Sequence, residues 1–325
     1  MPDMVTHIYF GEQVLSSLPE TISQHIEPKL FSHTALGPDI WFFIGFYGAN
    51  VRSLSPRGVY MHENRTGEFL TALAKRTGRA ADREGMFSYL TGYLCHYALD
   101  CTAHPYIIYR TGNYKETPET LRYRGNHTRL ERAIDCWVIR EKYGCRVRDF
   151  SLTDRSLPLK RLPESIREDL DAVYREVFGW DSVWASLNRS IQDQRMFYRL
   201  VQDPSGLLDR IANLADNGTS KTPVNVYSYH GRELDRQVVD FLNEKHTPWC
   251  NFADASLQST ESFPDLLDRA GELARQYLRA AYRYVYEGSV SSAELSALIG
   301  NRSYTSGLDC RDMSNRAPFV FDPLF

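Results

Sequence analysis

Residues 89–107 read YLTGYLCHYALDCTAHPYI, and this stretch decides the class of fold. The segment around it, from Arg83 to Thr102, contains no proline. Apolar side chains recur in it every three or four residues, at Phe87, Leu90, Leu94, Tyr97 and Cys101. This spacing predicts a long helix with one buried stripe. We expect Pro105 to end the helix, because proline cannot continue the pattern of backbone hydrogen bonds.

The same helical periodicity extends outward from this stretch in both directions. It predicts an amphipathic helix that ends before Pro19 and another within TGEFLTALAKRTG at residues 66–78. It also predicts helices over the following ranges: about His127–Lys142, Ile166–Val177, Leu207–Leu214, Glu233–Leu242 and Phe263–Tyr286. Few segments alternate with the period of two that strands show, so the predicted fold class is all-α.

Composition excludes several classes of protein. The chain has 325 residues, of which 42% are hydrophobic, so it can build a large core and is not a disordered protein. Its 38 basic and 41 acidic residues leave a formal charge of −3, and we therefore expect no stable nucleic-acid partner. The six cysteines form no C-x-x-C pair, which is typical of reduced thiols. The sequence shows no secretory signal and no apolar run of the roughly 20 residues that span a bilayer, so we expect a cytoplasmic protein.

Histidines are concentrated in the first part of the chain, where seven of the nine precede residue 128. Two predicted helices carry a histidine followed four residues later by a carboxylate, namely His96 with Asp100 and His127 with Glu131. Residues at this spacing share a helical face and can direct two donors at one metal ion. Roughly one such pair is expected by chance, but the longer row H-x-x-x-D-x-x-x-H that His104 completes is much rarer.

A simpler interpretation of this row is a solvated helix face on which His96 and Asp100 form a hydrogen bond. The surroundings favour the metal site, because tyrosines and aliphatic residues flank the row, whereas an exposed face normally carries lysine and glutamate. Burying two histidines and a carboxylate without a partner is costly, and a cation is a suitable partner.

Three further residues, His7, Asp39 and His62, extend the set of candidate ligands along the chain. The order of the whole set resembles that of the zinc-dependent phospholipase C family, whose all-helical fold is shared with zinc-dependent single-strand nucleases. The phrases that carry the resemblance are HIYFGEQVL from residue 7, GPDIWFF from residue 37, YLCHYALDCTAHPYI from residue 93 and NHTRLERAID from residue 126. The resemblance is clearest over residues 5–140 and looser beyond them.

The resemblance implies a multi-helix domain that holds a cluster of two or three zinc ions in a cleft. Carried over residue by residue, it assigns one ion to Asp39, His62, His96 and Asp100. It assigns a second ion to His104, His127 and Glu131, and a third ion to His7 together with a bridging Asp100. Asp39 resembles the residue proposed in the family as general base as well as ligand. Bound metals would act as Lewis acids on a phosphodiester and would lower the pKa of a bridging water.

These expectations define the organisation of the chain. We expect a single all-α domain over residues 1–325, with a metal-ligand core at 1–143 and a polar excursion at about 147–163. Helices within residues 164–300 would close the cleft. The run IWFFIGF at residues 40–46 is interpreted either as core packing or as a surface that faces acyl chains or a membrane.

The function that the resemblance implies is metal-dependent hydrolysis of a phospholipid or a small phosphodiester, with a transient membrane contact. One alternative is a nuclease-type phosphodiesterase, although NHTRLE has the H-x-x-x-E of the lipase branch and not H-x-x-x-D. Another alternative is a non-catalytic helical protein that keeps the metals for structure or retains only the scaffold for binding a partner. Catalytic zinc keeps an open coordination position, and eight candidate ligands for two or three ions leave such positions, which favours catalysis.

Overall fold

The structure is a computed structural model that describes residues 3–43, 55–115, 117–215, 227–315 and 319–325. The α-helices of this part of the chain are α1 Met4–Ser16, α2 Glu20–Ser23, α3 Pro28–Thr34, α4 Ser55–Glu63, α5 Thr66–Thr77, α6 Arg83–Thr111, α7 Asn126–Trp137, α8 Leu152–Ser156, α9 Arg167–Phe178, α10 Val183–Gln202, α11 Leu207–Ala215, α12 Phe263–Tyr282 and α13 Ser292–Ile299. The one sheet among the described residues is an antiparallel hairpin of β1 Trp249–Asn251 and β2 Asp254–Ser259. The predicted all-α class is confirmed.

Shorter helical segments connect or extend these helices. Turns of 3₁₀-helix cover Gly37–Phe42, Pro118–Tyr123, Val147–Asp149, Glu164–Ile166 and Cys310–Asn315. Turns of π-helix extend α7 over Val138–Lys142 and α12 over Arg283–Glu287. No helix of the described segments has both the length and the apolar character needed to cross a lipid bilayer.

Helix α6 is the centre of the molecule. Every residue from Gly85 to Ile108 is buried, and α12, α3, α5 and α1 pack around the helix. The expectation of a single buried stripe is therefore wrong, because α6 is enclosed on all sides. This position explains why polar residues in the row from His96 to His104 lie deep inside the protein.

The expected helix stop at Pro105 is also wrong, because α6 continues to Thr111. A proline at this position lacks the N–H that would bond to the carbonyl of Cys101. Gly307 lies directly against that carbonyl, so closely that a Cβ at residue 307 would overlap it. The helix continues through this gap in its hydrogen-bond ladder, and His104 stays in the helical row.

The helix predicted over Glu233–Leu242 is not formed, and these residues adopt turns and irregular backbone. The carboxylate of Asp235 accepts a hydrogen bond from the N–H of Gln237 at 2.9 Å. The carboxylate of Asp240 accepts one from the N–H of Lys245 at 3.0 Å. Such local bonds between aspartate side chains and the backbone compete with the helical ladder, and they outweigh the apolar periodicity here.

Asp135 of α7 joins that helix to the first turn of α1. Its carboxylate accepts hydrogen bonds from the N–H groups of Val5 and Thr6 at 3.1 and 2.9 Å, and from the hydroxyl of Tyr229 at 2.6 Å. N–H groups in the first turn of a helix have no partner within the helix, and the helix dipole favours a negative charge there. The cap fixes His7 on α1 relative to the facing side of α7.

Candidate metal centre

All eight predicted ligands lie around one buried space. Helix α1 contributes His7, the 3₁₀ turn after α3 contributes Asp39, and α4 contributes His62. The others lie on α6 and α7, namely His96, Asp100, His104, His127 and Glu131. They form three groups in which the ligand atoms lie within 4.8 Å of one another: His7, His96 and Asp100; Asp39, His62 and His96; and His104, His127 and Glu131.

The distances between donor atoms in the first two groups suit a metal ion. The Nε2 of His96 lies 3.1 Å from Asp100 Oδ2, and the Nε2 of His7 lies 3.2 Å from Asp100 Oδ1. The Nε2 of His62 lies 3.2 Å from Asp39 Oδ1. Two ligands bonded to zinc at about 2.1 Å in tetrahedral geometry lie about 3.4 Å apart. The observed spacing is therefore close to that of two ligands on one ion.

The third group lies at the other end of the same row. The Nε2 of His127 is 2.9 Å from Glu131 Oε1, and the Nε2 of His104 is 3.8 Å from the same oxygen. Asp100 stands between the groups, with its Oδ2 3.9 Å from the ring of His104 and 4.0 Å from the Nε2 of His62. A carboxylate in this central position can bridge neighbouring ions.

Backbone carbonyls orient three of the imidazole rings. The Nδ1 of His62 lies 2.7 Å from the oxygen of Gly58, and the Nδ1 of His96 lies 3.1 Å from the oxygen of Ala35. The Nδ1 of His104 lies 2.9 Å from the oxygen of Tyr304. A carbonyl only accepts, so each Nδ1 carries the proton and each Nε2 presents a lone pair to the buried space. Metal-binding histidines typically have such a partner on the second ring nitrogen.

Several buried ligand atoms of the site have no hydrogen-bond partner outside the site among the residues that the structure describes. They include the Nε2 atoms of His7, His96 and His104, the Oδ1 of Asp39 and both carboxylate oxygens of Asp100. Within the described segments, the basic side chains with a nitrogen within 4.0 Å of the carboxylates of Asp39 and Asp100 are all histidines. Buried polar atoms are normally satisfied. Neutral imidazoles and carboxylates that converge in this way fit a divalent cation, which would satisfy them together.

The electrostatics favour the protonation states that a metal requires at His7, His62 and Asp100, whereas burial opposes the ionised state at Asp39. Burial lowers the pKa of His7 to about 4, and it also lowers the pKa of His62, so both rings are neutral near neutral pH. Burial alone would raise the pKa of Asp100, but the adjacent His96 and His7 lower it overall. Burial raises the pKa of Asp39 well above its usual range. Metal binding needs neutral imidazoles and ionised carboxylates.

Gly37 allows the turn that carries Asp39 to lie against α6. Its φ of +49° is in the left-handed region, and a Cβ at this position would overlap the imidazole of His96. Both the backbone conformation and the contact therefore require glycine. This residue is part of the quoted phrase GPDIWFF, but its contact with His96 joins segments 59 residues apart and has no signal in the local sequence.

We expect Gly37→Ala to lower the free energy of unfolding by about 2–4 kcal/mol, from about 1–2 kcal/mol of backbone strain and a further cost of overpacking. Gly144→Ala is the matched control, because Gly144 also has a positive φ of +63° but nothing lies within 4 Å of its Cβ position. The control variant should show the backbone cost alone. Urea unfolding of both variants measures the difference, and equal losses would contradict the predicted clash with His96.

A cavity of about 500 Å³ opens beside the eight residues. The ligand candidates that line it are Asp39, His62, His104, His127 and Glu131. Aromatic and aliphatic side chains form much of the remaining wall, among them Phe42, Phe43, Val59, Phe197, Tyr198 and Tyr227. A mainly apolar cavity with a few converging polar groups is typical of a binding site for a small molecule.

The described residues of the run IWFFIGF lie in two different environments. Ile40 and Trp41 are buried in the core, whereas Phe42 and Phe43 line the cavity. Residues 44–46 of the run lie outside the described residues. Two of these four consecutive residues therefore pack in the core, and the other two form part of the cavity wall.

Other cavity residues come from regions that the sequence analysis does not single out. Helix α10, which contributes Phe197 and Tyr198, is not among the predicted helices, although Val183, Leu187 and Ile191 recur at the helical interval of four. Arg132 lies within the quoted phrase NHTRLERAID but is not among the candidate site residues; it also lines the cavity, where its Nη1 lies 2.7 Å from a carboxylate oxygen of Asp3.

A helical fold that gathers histidines and carboxylates beside a cavity is suited to metal-dependent chemistry on a bound small molecule. A family model described as zinc dependent phospholipase C matches residues 6–180, which is more than half of the chain. The chain belongs to the zinc-dependent phospholipase C family, and this membership supports a metal-dependent hydrolase of the phospholipase type. No curated protein and no solved structure matches the chain.

Proposed function

We propose that this chain is a zinc-dependent phosphodiester hydrolase that cleaves a phospholipid, or a related small phosphodiester, and releases a phosphorylated headgroup. The observation that carries the proposal is the convergence of the three ligand groups on one buried space at the side of the apolar cavity. The family to which the chain belongs supports both the metal and the class of reaction.

We assign the ligands as the family resemblance implies, and the three groups in the structure support much of this assignment. Asp39, His62, His96 and Asp100 would hold one ion, and His104, His127 and Glu131 a second. Asp100 would share a third ion with His7, and His96 lies in the same group. The bound zinc supplies Lewis acidity toward the phosphate and lowers the pKa of water.

Asp39 is the residue that we assign as general base. Its side chain keeps 13% of its surface exposed and lines the cavity, whereas Asp100 is completely buried. Burial raises the pKa of Asp39, so its carboxylate holds a proton more readily than an ordinary aspartate does. A carboxylate with these properties can accept the proton that an attacking water loses. Asp100, enclosed by histidines, is suited to a bridging role instead.

The walls of the cavity favour a lipid over a nucleic acid. Among the described residues that line it, Arg132 is the one arginine or lysine, and it is paired with Asp3. Binding of a polynucleotide depends on several cations that contact successive phosphates. Phe42, Phe43 and Phe197 instead present apolar surface next to the ligand groups, as a glycerol backbone with acyl chains requires.

The test combines metal content with turnover. We expect protein purified without a metal-affinity tag to contain about two or three zinc ions per chain by elemental analysis. It should release a phosphorylated headgroup from short-chain phospholipids, lose this activity on chelation and regain it with zinc. Protein that neither contains nor binds zinc would exclude the proposal. Cleavage of single-stranded oligonucleotides, with phospholipids left intact, would favour the nuclease alternative.

A further inference from the structure

Helix α11 exposes three large apolar side chains on the face that points away from the protein. Leu207, Ile211 and Leu214 follow one another at helical spacing and are 60%, 56% and 91% exposed. The opposite side of the helix is occupied by the buried Ala212 and the half-buried Leu208. Single exposed leucines are ordinary on a protein surface. An exposed apolar stripe along one face of a helix instead indicates a surface that contacts a partner or a membrane.

The preceding helix, α10, shows the same feature. Met196 and Leu200 are exposed one turn apart on α10, while Phe197 and Tyr198 are buried and line the cavity. The turn that joins α10 to α11 is short and is held by Asp203, whose carboxylate caps the first turn of α11. Met196 and Leu200 therefore lie on a helix that also lines the proposed substrate cavity, and α11 follows this helix directly in the chain.

The charges of these two helices have one sign on the outside. Between residues 183 and 214 the exposed charged side chains are all arginine, namely Arg189, Arg199 and Arg210. The three acidic residues of the same segment are withdrawn from the surface: Asp193 and Asp203 are buried, and Asp209 is half-buried and paired with Arg232. Arg199 and Arg210 form no ion pair with any residue of the described segments.

We propose that Met196, Leu200, Leu207, Ile211 and Leu214, with Arg199 and Arg210, form a docking surface for a membrane that contains anionic phospholipid. We call this set the docking face. The choice of a lipid surface rests on the proposed function, whose substrate is a phospholipid, and on the exposed arginines that accompany the aliphatic side chains. Aliphatic side chains of such a surface enter the boundary between headgroups and acyl chains, and arginines contact the lipid phosphates.

A second copy of the chain is a less suitable partner for the docking face. In a two-fold dimer the same surface lies on both sides of the interface. Arg199 and Arg210 would then meet like charges, which disfavours association. An anionic membrane pairs the aliphatic residues with apolar material and the two arginines with opposite charge.

The experiment measures binding to vesicles independently of turnover. The vesicles contain phosphonate analogues of phosphatidylcholine and phosphatidylglycerol, in which a carbon–phosphorus bond replaces the scissile bond. We expect the full-length, zinc-loaded protein to sediment with these vesicles. The variant Leu207→Ser/Ile211→Ser/Leu214→Ser should bind about tenfold or more weakly. The variant Arg199→Gln/Arg210→Gln should lose affinity mainly for vesicles that contain the anionic lipid.

A matched control removes three exposed aliphatic side chains elsewhere, as Val238→Ser/Leu257→Ser/Leu298→Ser, and should bind vesicles like the wild type. All variants should hydrolyse a monomeric short-chain phospholipid at the wild-type rate. Wild-type protein that does not bind vesicles, or equal losses in the two serine variants, would overturn the inference. A dimer that dissociates only in the α11 variant would identify a second copy as the partner and overturn it too. Vesicle binding without hydrolysis of any lipid would uphold the docking face and refute the proposed function.

Discussion

Asp39→Ala should reduce turnover of a phosphodiester by about a thousandfold or more and leave the helical fold intact. In the proposed mechanism the variant removes the general base, which typically contributes 10²–10⁴-fold, and also removes one proposed zinc ligand. Asp39 lies on a 3₁₀ turn at the cavity, and the structure records no hydrogen bond from its Oδ1 to any described residue. Its loss therefore disturbs the chemistry more than the packing. Steady-state kinetics on a short-chain phospholipid, with circular dichroism of the same sample, measures both effects.

Glu63→Gln provides the control for Asp39→Ala. Glu63 also lines the cavity and directly follows His62, but it belongs to none of the three ligand groups. Its replacement should change turnover by only a few-fold, because the amide keeps the size and polarity of the side chain. If Asp39→Ala retains full turnover, the assignment of Asp39 is wrong. If both variants lose activity equally, the effect lies in the charge of the cavity and not in one base.

His96→Ala should remove at least one zinc ion per chain. His96 is the one ligand candidate that belongs to two of the three groups, where it meets Asp100 in one and Asp39 in the other. Zinc bound by three protein ligands loses most of its affinity when one of them is deleted. Elemental analysis after equilibrium dialysis against zinc measures the loss, and turnover should fall in parallel.

The control for this variant is His33→Ala. His33 is also a fully buried histidine in the N-terminal part of the chain, but it belongs to none of the ligand groups. Both substitutions leave a cavity and should lower the free energy of unfolding by a similar amount, about 2–4 kcal/mol. Zinc should be lost from His96→Ala alone. An unchanged zinc content in that variant would show that His96 is a structural residue.

The sequence predicts the parts of the site that lie on a single helix. His96, Asp100 and His104 share one face of α6, and His127 and Glu131 share one face of α7, because the spacing of four residues decides both. His7, Asp39 and His62 lie on separate elements, so no local spacing connects them to α6. Their place in the site is predicted by resemblance to the family, which uses information from the whole first half of the chain.

The groups that orient the ligands could not be predicted from residue types. His62, His96 and His104 each face a backbone carbonyl, and every residue has a carbonyl. The position of that carbonyl depends on tertiary packing alone. The same limit applies to Pro105, because α6 continues past a residue that normally ends a helix and no local pattern predicts this.

The carbonyl that orients His104 belongs to Tyr304, a residue 200 positions further along the chain. The N–H of Tyr304 also donates a hydrogen bond to the carbonyl of His62 at 2.9 Å, so one late segment supports ligands on two helices. During synthesis, the ribosome releases all eight candidate ligands long before it adds this tyrosine. A nascent chain therefore lacks the contact that orients the ring of His104, and we expect the proposed centre to reach its final arrangement only after this supporting segment is translated.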